Sequence, residues 1–397
     1  MDQYYTGTSY ISSLIDSLVI FRGVAEGDVL SKLRELAGET RSVRSYSAFI
    51  QALYRHGCNF SEYLLDAAAK DENIYVHLRA KGKPIPRLLM SCLKGELQTL
   101  QMLSSFTSLE FKALTNYSGY LPDFETSKLD FAAEYEKRIA DISTVGYGIY
   151  ADNVMFRLDG DKIVPITTPD PVSVNDLIGY ELQRSQVIAN TEALIKGLPA
   201  ANVLLVGDAG TGKSTTVKAV VNLLADRGVR LIELKKQQLR RIPAVMEELR
   251  DNPLKFILFI DDLSFSKNDD NFSSLKAILE GSATVRADNT VIYATSNRRH
   301  LVKESFSDRE GDDVHLSDTL QEINSLADRF GLTILYTKPN KQLYLDIVRG
   351  LCENAGIEYR TGTTDIEAGA FAVRKGGFTP RAAEQFVDSL ISRGTGM

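Results

Sequence analysis

Two adjacent acidic residues follow directly after a short apolar run in the stretch FILFIDDLSF, residues 256–265. A run this short and rich in Ile and Phe is typical of a strand that is buried on both faces. At the end of such a strand Asp261 and Asp262 repel each other and lose water, so each alone would favour protonation. The pair therefore predicts that a positive charge, such as a divalent cation, lies close to this end of the strand.

The second candidate group is the glycine-rich turn GDAGTGKS, residues 207–214, which follows the apolar run NVLLVG. The spacing matches G-x-x-x-x-G-K-S, the P-loop pattern, in which glycines let backbone N–H groups converge on phosphate oxygens. The helix that follows points its positive N-terminus at the same anion. Lys213 would reach the outer phosphates, and the Ser214 hydroxyl would bind Mg²⁺. A coincidental Gly-rich turn is the alternative, but the strand before it and the helix after it favour nucleotide binding.

The two groups should meet, because the C-terminal ends of parallel strands line the ligand crevice of such a sheet. We expect Asp261 beside the Mg²⁺ ion, and Asp262 where it can orient or deprotonate an attacking water. Asp262 could alternatively cap the next helix or face solvent. The predicted metal ligands are Ser214 and Asp261. The predicted nucleotide-binding residues of the loop are Gly207, Asp208, Ala209, Gly210, Thr211, Gly212, Lys213, Ser214 and Thr215.

Hydrophobic periodicity divides the chain into four parts. Residues 1–143 carry helical stripes and contain no catalytic constellation, which predicts a mostly helical N-terminal domain. Residues 144–170 hold three short extended runs, of which the last two form a β-hairpin around an Asp-Gly turn, and a proline-containing linker. Residues 171–339 alternate strands and helices, which predicts an α/β P-loop domain with a five-stranded parallel sheet and helices on both faces. Residues 340–397 are helical only, which predicts a small all-helical appendage.

Composition limits the class of protein. The length of 397 residues predicts two or three domains, and 44% hydrophobic with 25% charged residues is typical of a soluble globular protein. A net charge of -6 and a pI near 5.5 give no overall basic character, so any contact with nucleic acid needs a local patch. No signal-peptide pattern or bilayer-length apolar run is visible, and the three cysteines indicate small buried residues in a reducing compartment. We therefore expect a cytoplasmic protein without membrane contacts.

Taken together, these motifs resemble the AAA+ ATPases. GDAGTGKS is similar to the Walker A motif of that family, and FILFIDD is similar to its Walker B motif. The closer resemblance is to a bacterial branch of AAA+ ATPases catalogued as a domain of unknown function, on the segments LIGYELQR, IDDLSF, LKAILEG, IYATSNRRHL and SLADRFGL. This resemblance covers about residues 145–397 and leaves residues 1–143 unexplained. It implies that the chain binds ATP with Mg²⁺ and hydrolyses it. It also implies that residues 340–397 form a C-terminal helical lid.

The resemblance also implies roles for three further polar residues. IYATSN implies that Asn297 lies near the γ-phosphate, although Asn297 could simply satisfy backbone groups at a strand end. SLADRFG implies that Arg329 is an arginine finger that reaches the ATP of a neighbouring chain, which requires self-association; a surface salt bridge is the alternative. TPRAAEQF implies that Arg381 contacts the triphosphate, and its place near a helix start, unfavourable for the helix dipole, agrees with such a role.

On the base side, the segment DLIGYELQ resembles the part of the family that lies against adenine. This resemblance implies that Ile178, Gly179 and Tyr180 are nearest the base.

Three functions remain open at this stage. The first is an ATP-driven conformational change on a protein partner, with residues 1–143 as adaptor, although ELKKQQLRRIP lacks the aromatic residue and glycine of family members that thread proteins. The second is a nucleic-acid loader, since loader relatives also carry an Asp-Asp pair and a basic run could contact phosphates. That run, Lys235, Lys236, Arg240 and Arg241, could equally be a solvated helix face. The third is a nucleotide-gated scaffold with negligible turnover, because Asp262 stands where a Glu is usual.

Overall fold

The computed structural model describes residues 7–38, 42–264, 270–280, 288–297 and 328–394. The chain divides into two units, each described here by itself. Unit 1 comprises residues 1–151 together with residues 251–253, and unit 2 comprises residues 152–250 and 254–397.

The described part of unit 1 consists mainly of α-helices joined by loops, with one isolated β-bridge between Asn59 and Glu125. Its helices are α1 (Gly7–Asp16), α2 (Arg22–Glu26), α3 (Asp28–Ala37), α4 (Val43–Tyr54), α5 (Phe60–Lys70), α6 (Ile74–Ala80), α7 (Arg87–Ser104), α8 (Ser108–Ala113), α9 (Phe131–Ala140) and α10 (Ile142–Val145). The predicted apolar stripes face one core. At its centre the rings of Phe49, Phe60, Phe111 and Phe124 pack with centroids 5.4–5.8 Å apart. All but one of these contacts, the tilted pair Phe111–Phe124, are edge-to-face, and such contacts add to the stabilisation from burial.

A buried carboxylate holds the chain turn that precedes α2. Glu96, on α7, is only 5% exposed. One of its oxygens accepts the N–H groups of Val19 and Ile20, both at 2.9 Å. The other oxygen accepts Ile20 N–H at 2.9 Å and Phe21 N–H at 3.0 Å. Glu96 therefore satisfies three backbone donors that no helix serves.

We expect Glu96→Ala to destabilise unit 1. The substitution leaves three backbone N–H groups without their acceptor, so the free energy of unfolding should fall by about 3 kcal/mol. Urea denaturation followed by circular dichroism measures this change. The control is Glu136→Ala, an exposed glutamate of α9, which should change the stability by less than about 0.5 kcal/mol. Equal stability of the two variants would contradict the role given to Glu96.

Unit 2 is built on one twisted sheet. Its strands are β1 (Met155–Asp159), β2 (Lys162–Pro165), β3 (Val203–Gly207), β4 (Val229–Leu234), β5 (Lys255–Ile260), β6 (Thr290–Ser296) and β7 (Leu332–Tyr336). They lie in the order β2-β1-β4-β5-β6-β3-β7, and all neighbouring pairs are parallel except β1–β2. All residues of β3 and β6 are buried, as expected of a sheet covered on both faces.

The predicted five parallel strands are present as β4, β5, β6, β3 and β7, but in the described residues the sheet has seven strands. The hairpin β1–β2, which we expected to stand apart, extends the sheet, because β1 pairs in parallel with β4 from Met155 opposite Leu231. A strand edge with unpaired backbone groups is a ready partner for such an addition. The first extended run, GYGIY, was predicted wrongly. It contains a 3₁₀ turn at Gly148–Tyr150, and Gly148 has a φ of 56° that an extended strand cannot accommodate.

Seven helices accompany the sheet in the described part of unit 2. They are α11 (Glu181–Ile195), α12 (Lys213–Leu224), α13 (Ile242–Leu249), α14 (Asp270–Leu279), α15 (Lys341–Asn354), α16 (Thr363–Arg374) and α17 (Pro380–Gly394). The last three form the predicted lid, defined here as residues 341–394, around a small core that includes Tyr344, Val348 and Phe386. The helix expected over residues 317–329 falls almost entirely outside the described residues.

The three cysteines differ from one another in exposure. Of the three cysteines, Cys352 is buried, but Cys58 is exposed and Cys92 lies between these extremes, so the prediction of three buried thiols was wrong. Cys58 follows the left-handed Gly57 just after α4, outside the helix that packs on the core. Within the described ranges, none of the helices has both the length and the apolar character that crossing a bilayer requires.

Candidate functional site

The turn from Gly207 to Ser214, called the phosphate loop below, connects the end of β3 to the start of α12. Gly207 has a φ of 140°, and a Cβ added there would lie 1.8 Å from the carbonyl oxygen of Tyr336 on the neighbouring strand β7. Gly212 has a φ of 84° and forms the N-cap of α12. The loop therefore needs glycine at both ends, and the helix begins where an anion can meet its first N–H groups.

We expect Gly207→Ala to destabilise unit 2 strongly. Because the obstacle is the backbone of β7 and the left-handed φ adds strain, the free energy of unfolding should fall by about 3 kcal/mol or more. The control is Gly197→Ala, which also has a positive φ, 67°, but meets nothing within 4 Å. That variant should lose only about 1 kcal/mol. Denaturant unfolding measures both, and similar losses would show that the contact with β7 is unimportant.

Lys213 is the first residue of α12 and is only 4% exposed. Its ammonium group donates to the carbonyl oxygens of Gly207 at 3.2 Å and Asp208 at 2.7 Å, and to Oδ1 of Asn297 at 3.0 Å. Burial lowers the pKa of Lys213 from its ordinary value, while three nearby carboxylates act in the opposite direction. A partly desolvated ammonium at the start of a helix is suited to holding phosphate oxygens.

The structure brings the two predicted metal ligands together. Ser214 Oγ donates to Asp261 Oδ1 at 2.5 Å, and Thr295 Oγ1 donates to the same oxygen at 2.6 Å. Neighbouring ligands of an octahedral Mg²⁺ ion are about 2.9 Å apart, given Mg–O distances near 2.0–2.1 Å. The hydroxyl of Ser214 and the carboxylate of Asp261 therefore fit two adjacent positions around Mg²⁺ after a small separation.

Asp262 has an unusual backbone and a defined set of partners. Its φ is 54°, in the left-handed region, and its N–H donates to Thr295 Oγ1 at 2.9 Å. Its Oδ1 accepts from Asn297 Nδ2 at 2.7 Å. Asn297 thus receives a hydrogen bond from Lys213 and gives one to Asp262, which joins the phosphate loop to the acidic pair. A left-handed conformation in a non-glycine residue is a strain that often accompanies functional sites.

The predicted base-side residues line a narrow pocket. Ile178, Gly179 and Tyr180 face Ile347 and Leu351 of the lid helix α15 across it, and Thr215 of α12 contributes to the same wall. Tyr180, with a φ of 59°, stacks on Tyr336 with ring centroids 5.1 Å apart. Burial raises the pKa of Tyr180 to about 12, so this ring stays neutral. The apolar part of this lining suits a planar base, and charged side chains such as Arg184 and Glu384 lie in the same lining.

The two predicted arginines lie at opposite ends of the sheet. The N–H of Arg381, at the start of α17, donates to the carbonyl oxygen of Gly210 at 3.3 Å, so the lid touches the phosphate loop there. Arg329 instead precedes β7, and its Nε and Nη2 contact Glu280 Oε1 at 2.6 and 2.5 Å. Since β7 alone is about 16 Å long, Arg329 lies far from the phosphate loop of its own chain.

Sequence reasoning missed several residues of this site. Thr295 is the most important, because it is buried and bonds both Asp261 and the backbone of Asp262. Its position two residues before Asn297 on a strand was the available signal, since such residues share a face of the sheet. Arg184 also lines the base-side pocket and donates to the carbonyl oxygens of Leu177 and Gly179. No local pattern in the sequence indicated this contact.

Comparison with known proteins gives a family and a set of similar structures. The family described as "Protein of unknown function (DUF815)" matches residues 151–394. No curated protein matches the chain. Among solved structures, the RuvB Holliday junction branch migration motor of Thermotoga maritima is 18% identical, with a TM-score of 0.38. Two single-residue variants of that RuvB are also 18% identical, each with a TM-score of 0.36.

These structural matches each cover 54% of this chain and 63% of the RuvB chain, which is less than two thirds of it. They do not bear on what this chain binds. The strand order, the phosphate loop after β3, the acidic pair after β5 and the three-helix lid are those of an AAA+ P-loop ATPase fold. With most of its length matched, the chain belongs to the DUF815 family.

Proposed function

We propose that this chain binds ATP with Mg²⁺, hydrolyses it, and uses the reaction to drive a conformational change on a macromolecular partner. The supporting observation is the continuous set of hydrogen bonds from Lys213 through Asn297 to Asp262, with Ser214 and Asp261 directly beside it. This set combines a cation for phosphate, a pair of oxygen ligands for Mg²⁺ and a free carboxylate oxygen for water. No other described part of unit 2 offers the same combination.

Each residue has a distinct task in this proposal. The N–H groups of the phosphate loop and Lys213 hold the phosphate chain, and Ser214 with Asp261 would hold Mg²⁺, which neutralises charge on the phosphates. Asp262 orients the attacking water and accepts its proton. Asn297 fixes the Asp262 carboxylate by donating to Oδ1, which leaves Oδ2 for the water. Ile178, Gly179 and Tyr180 bind the base, and Arg381 approaches the triphosphate from the lid.

Because of the position of Arg329, the proposed function requires association of at least two copies of the chain. It lies at the end of the sheet away from the phosphate loop, so it can act on ATP only in a neighbouring chain. Within its own chain it is paired with Glu280. We therefore propose self-association through the surface that carries Arg329.

Calorimetry and phosphate release test the proposal on the full chain. We expect ATP to bind when Mg²⁺ is present, with weaker binding in its absence because Ser214 and Asp261 then contribute little. We also expect steady-state phosphate release that depends on protein concentration, because Arg329 must come from a second copy. A chain that gives no heat with ATP and Mg²⁺ would contradict the proposal at its first step. Binding without release would favour the scaffold alternative.

The nucleic-acid alternative depends on the basic run that follows β4. In the structure this run forms a 3₁₀ helix, Lys236–Arg241, in which Arg241 is paired with Asp161 of the β1–β2 turn. Part of its charge is thus already neutralised, which gives the alternative no additional support. The nucleic-acid alternative would be supported by binding to DNA at low salt that is lost at moderate salt.

A further inference from the structure

Asp208, the second residue of the phosphate loop, connects two parts of unit 2 with its polar groups. Its N–H donates to the carbonyl oxygen of Tyr336, the last residue of β7, at 3.1 Å. Its carbonyl oxygen accepts from Lys213 Nζ at 2.7 Å. Its carboxylate Oδ2 accepts the N–H of Lys338 at 3.1 Å. One residue therefore contacts both the cation that would hold phosphate and the segment that leads to the lid.

That segment, residues 337–340, is the linker between β7 and α15. Its two central residues are Lys338 and Pro339, and because proline has no N–H, Lys338 carries the only central donor. On the N-terminal side of Lys338, Tyr180 Oη donates to the carbonyl oxygen of Thr337 at 2.7 Å. On its C-terminal side, the Asn340 side chain caps α15 by accepting the N–H of Leu343 at 2.8 Å. The direction in which α15 leaves the sheet thus depends on a few side-chain bonds, of which Asp208 makes the central one.

The phosphate loop also contacts the lid at a second point, through the bond from Arg381 N–H to Gly210 O. The lid is therefore attached to the loop near its first and its last helix. A change in the loop's backbone can therefore affect the lid through two hydrogen bonds. Of these two, only the bond to Asp208 involves a side chain of the loop. Alanine at position 208 could still make both main-chain bonds but would lose the bond to Lys338.

We propose that Asp208 is a positioning residue that transmits occupancy of the phosphate loop to the linker and so sets the orientation of the lid. The proposal rests on the nucleotide binding proposed above. A phosphate in the loop competes with the Asp208 carbonyl for the ammonium of Lys213. The resulting shift of the Asp208 main chain moves its carboxylate, and the Lys338 N–H that it holds moves with it.

The test measures hydrogen–deuterium exchange of residues 341–354 in the full chain, with and without a slowly hydrolysed ATP analogue and Mg²⁺. Lys338→Pro removes the N–H donor without changing the phosphate loop, and Lys338→Ala is its matched control because it keeps the N–H. In wild type and Lys338→Ala, the analogue should slow exchange at the start of α15 by about tenfold, the effect of one hydrogen bond to a charged group. In Lys338→Pro and Asp208→Ala the slowing should drop below about twofold. Asp208→Asn keeps an acceptor oxygen and should restore it.

Calorimetry on the same samples distinguishes failure of nucleotide binding from failure of the coupling through Asp208. If Lys338→Pro binds the analogue and still shows the wild-type slowing, the coupling through Asp208 is overturned while nucleotide binding stands. If wild type does not bind the analogue, the proposed function fails and the coupling fails with it. If Asp208→Ala loses binding, Lys338→Pro decides alone, since its phosphate loop is intact. If Lys338→Pro does not fold, the contrast between Asp208→Ala and Asp208→Asn decides.

Discussion

Replacing Lys213 with alanine should abolish the proposed activity while leaving the fold intact. Lys213 is buried, and its three hydrogen bonds all go to residues of the site. No other described side chain places an ammonium group within the phosphate loop. The expected loss in ATP turnover is about a thousandfold, comparable to removing a group that stabilises developing charge in a transition state. Calorimetry should also show ATP affinity weakened by at least about a hundredfold, because a buried cation contributes several kcal/mol to anion binding.

The matched control is Lys218→Ala, five residues further along α12. Lys218 is partly exposed and is not among the residues of the site. This variant should keep wild-type affinity and turnover, and the far-UV circular dichroism of both variants should match wild type. Wild-type turnover in Lys213→Ala would show that the phosphate loop does not bind the nucleotide as proposed.

The second large effect is expected from Asp262→Asn. Asparagine tolerates the left-handed conformation that Asp262 adopts at φ 54°, so the backbone should not change. Its side-chain oxygen can still accept from Asn297, but it cannot take a proton from water. We therefore expect ATP to bind with unchanged affinity, while turnover falls by about 10²–10⁴-fold, the usual contribution of a general base. Single-turnover measurements should find ATP retained in the protein.

Asp226→Asn is the control for the loss of one negative charge in unit 2. Asp226 is exposed and lies in the 3₁₀ turn after α12. The turnover of this variant should stay within about twofold of wild type. Asp226 lies beyond the far end of α12 from the phosphate loop, and solvent ions screen an exposed charge there. If Asp262→Asn hydrolyses ATP as fast as Asp226→Asn, Asp262 is not the base. If wild type and both variants are equally slow, the scaffold alternative is favoured.

Local patterns in the sequence were sufficient for much of the fold. The central strands were predicted because their apolar runs are continuous, and the phosphate loop because its glycine and lysine spacing is specific. The position of β1 was not predicted, since pairing between β1 and β4 joins residues more than 70 positions apart. The partner of Arg329 is equally distant in sequence, as Glu280 lies 49 residues before it.

The candidate site shows the same division between local and non-local information. The types and positions of Asp261 and Asp262 were visible in the sequence, but the left-handed backbone of Asp262 depends on its bond to Thr295, 33 residues away. That backbone gives a physical reason for Asp where Glu was expected, because Asp adopts the left-handed region more readily than a longer side chain does. The bond from Lys338 to Asp208 spans 130 residues and left no trace in any local motif.

The hairpin that extends the sheet has a consequence for how copies of this chain can meet. Its outer strand β2 is four residues long and ends at Pro165, which has no N–H to offer a further strand. At the opposite margin, Gln183 Nε2 donates a hydrogen bond to the carbonyl oxygen of Leu335 on β7. Each margin thus has at least one backbone position that is not open to the edge-to-edge pairing through which β-proteins aggregate. Copies of this chain that met at these two margins would therefore have to associate mainly through side chains.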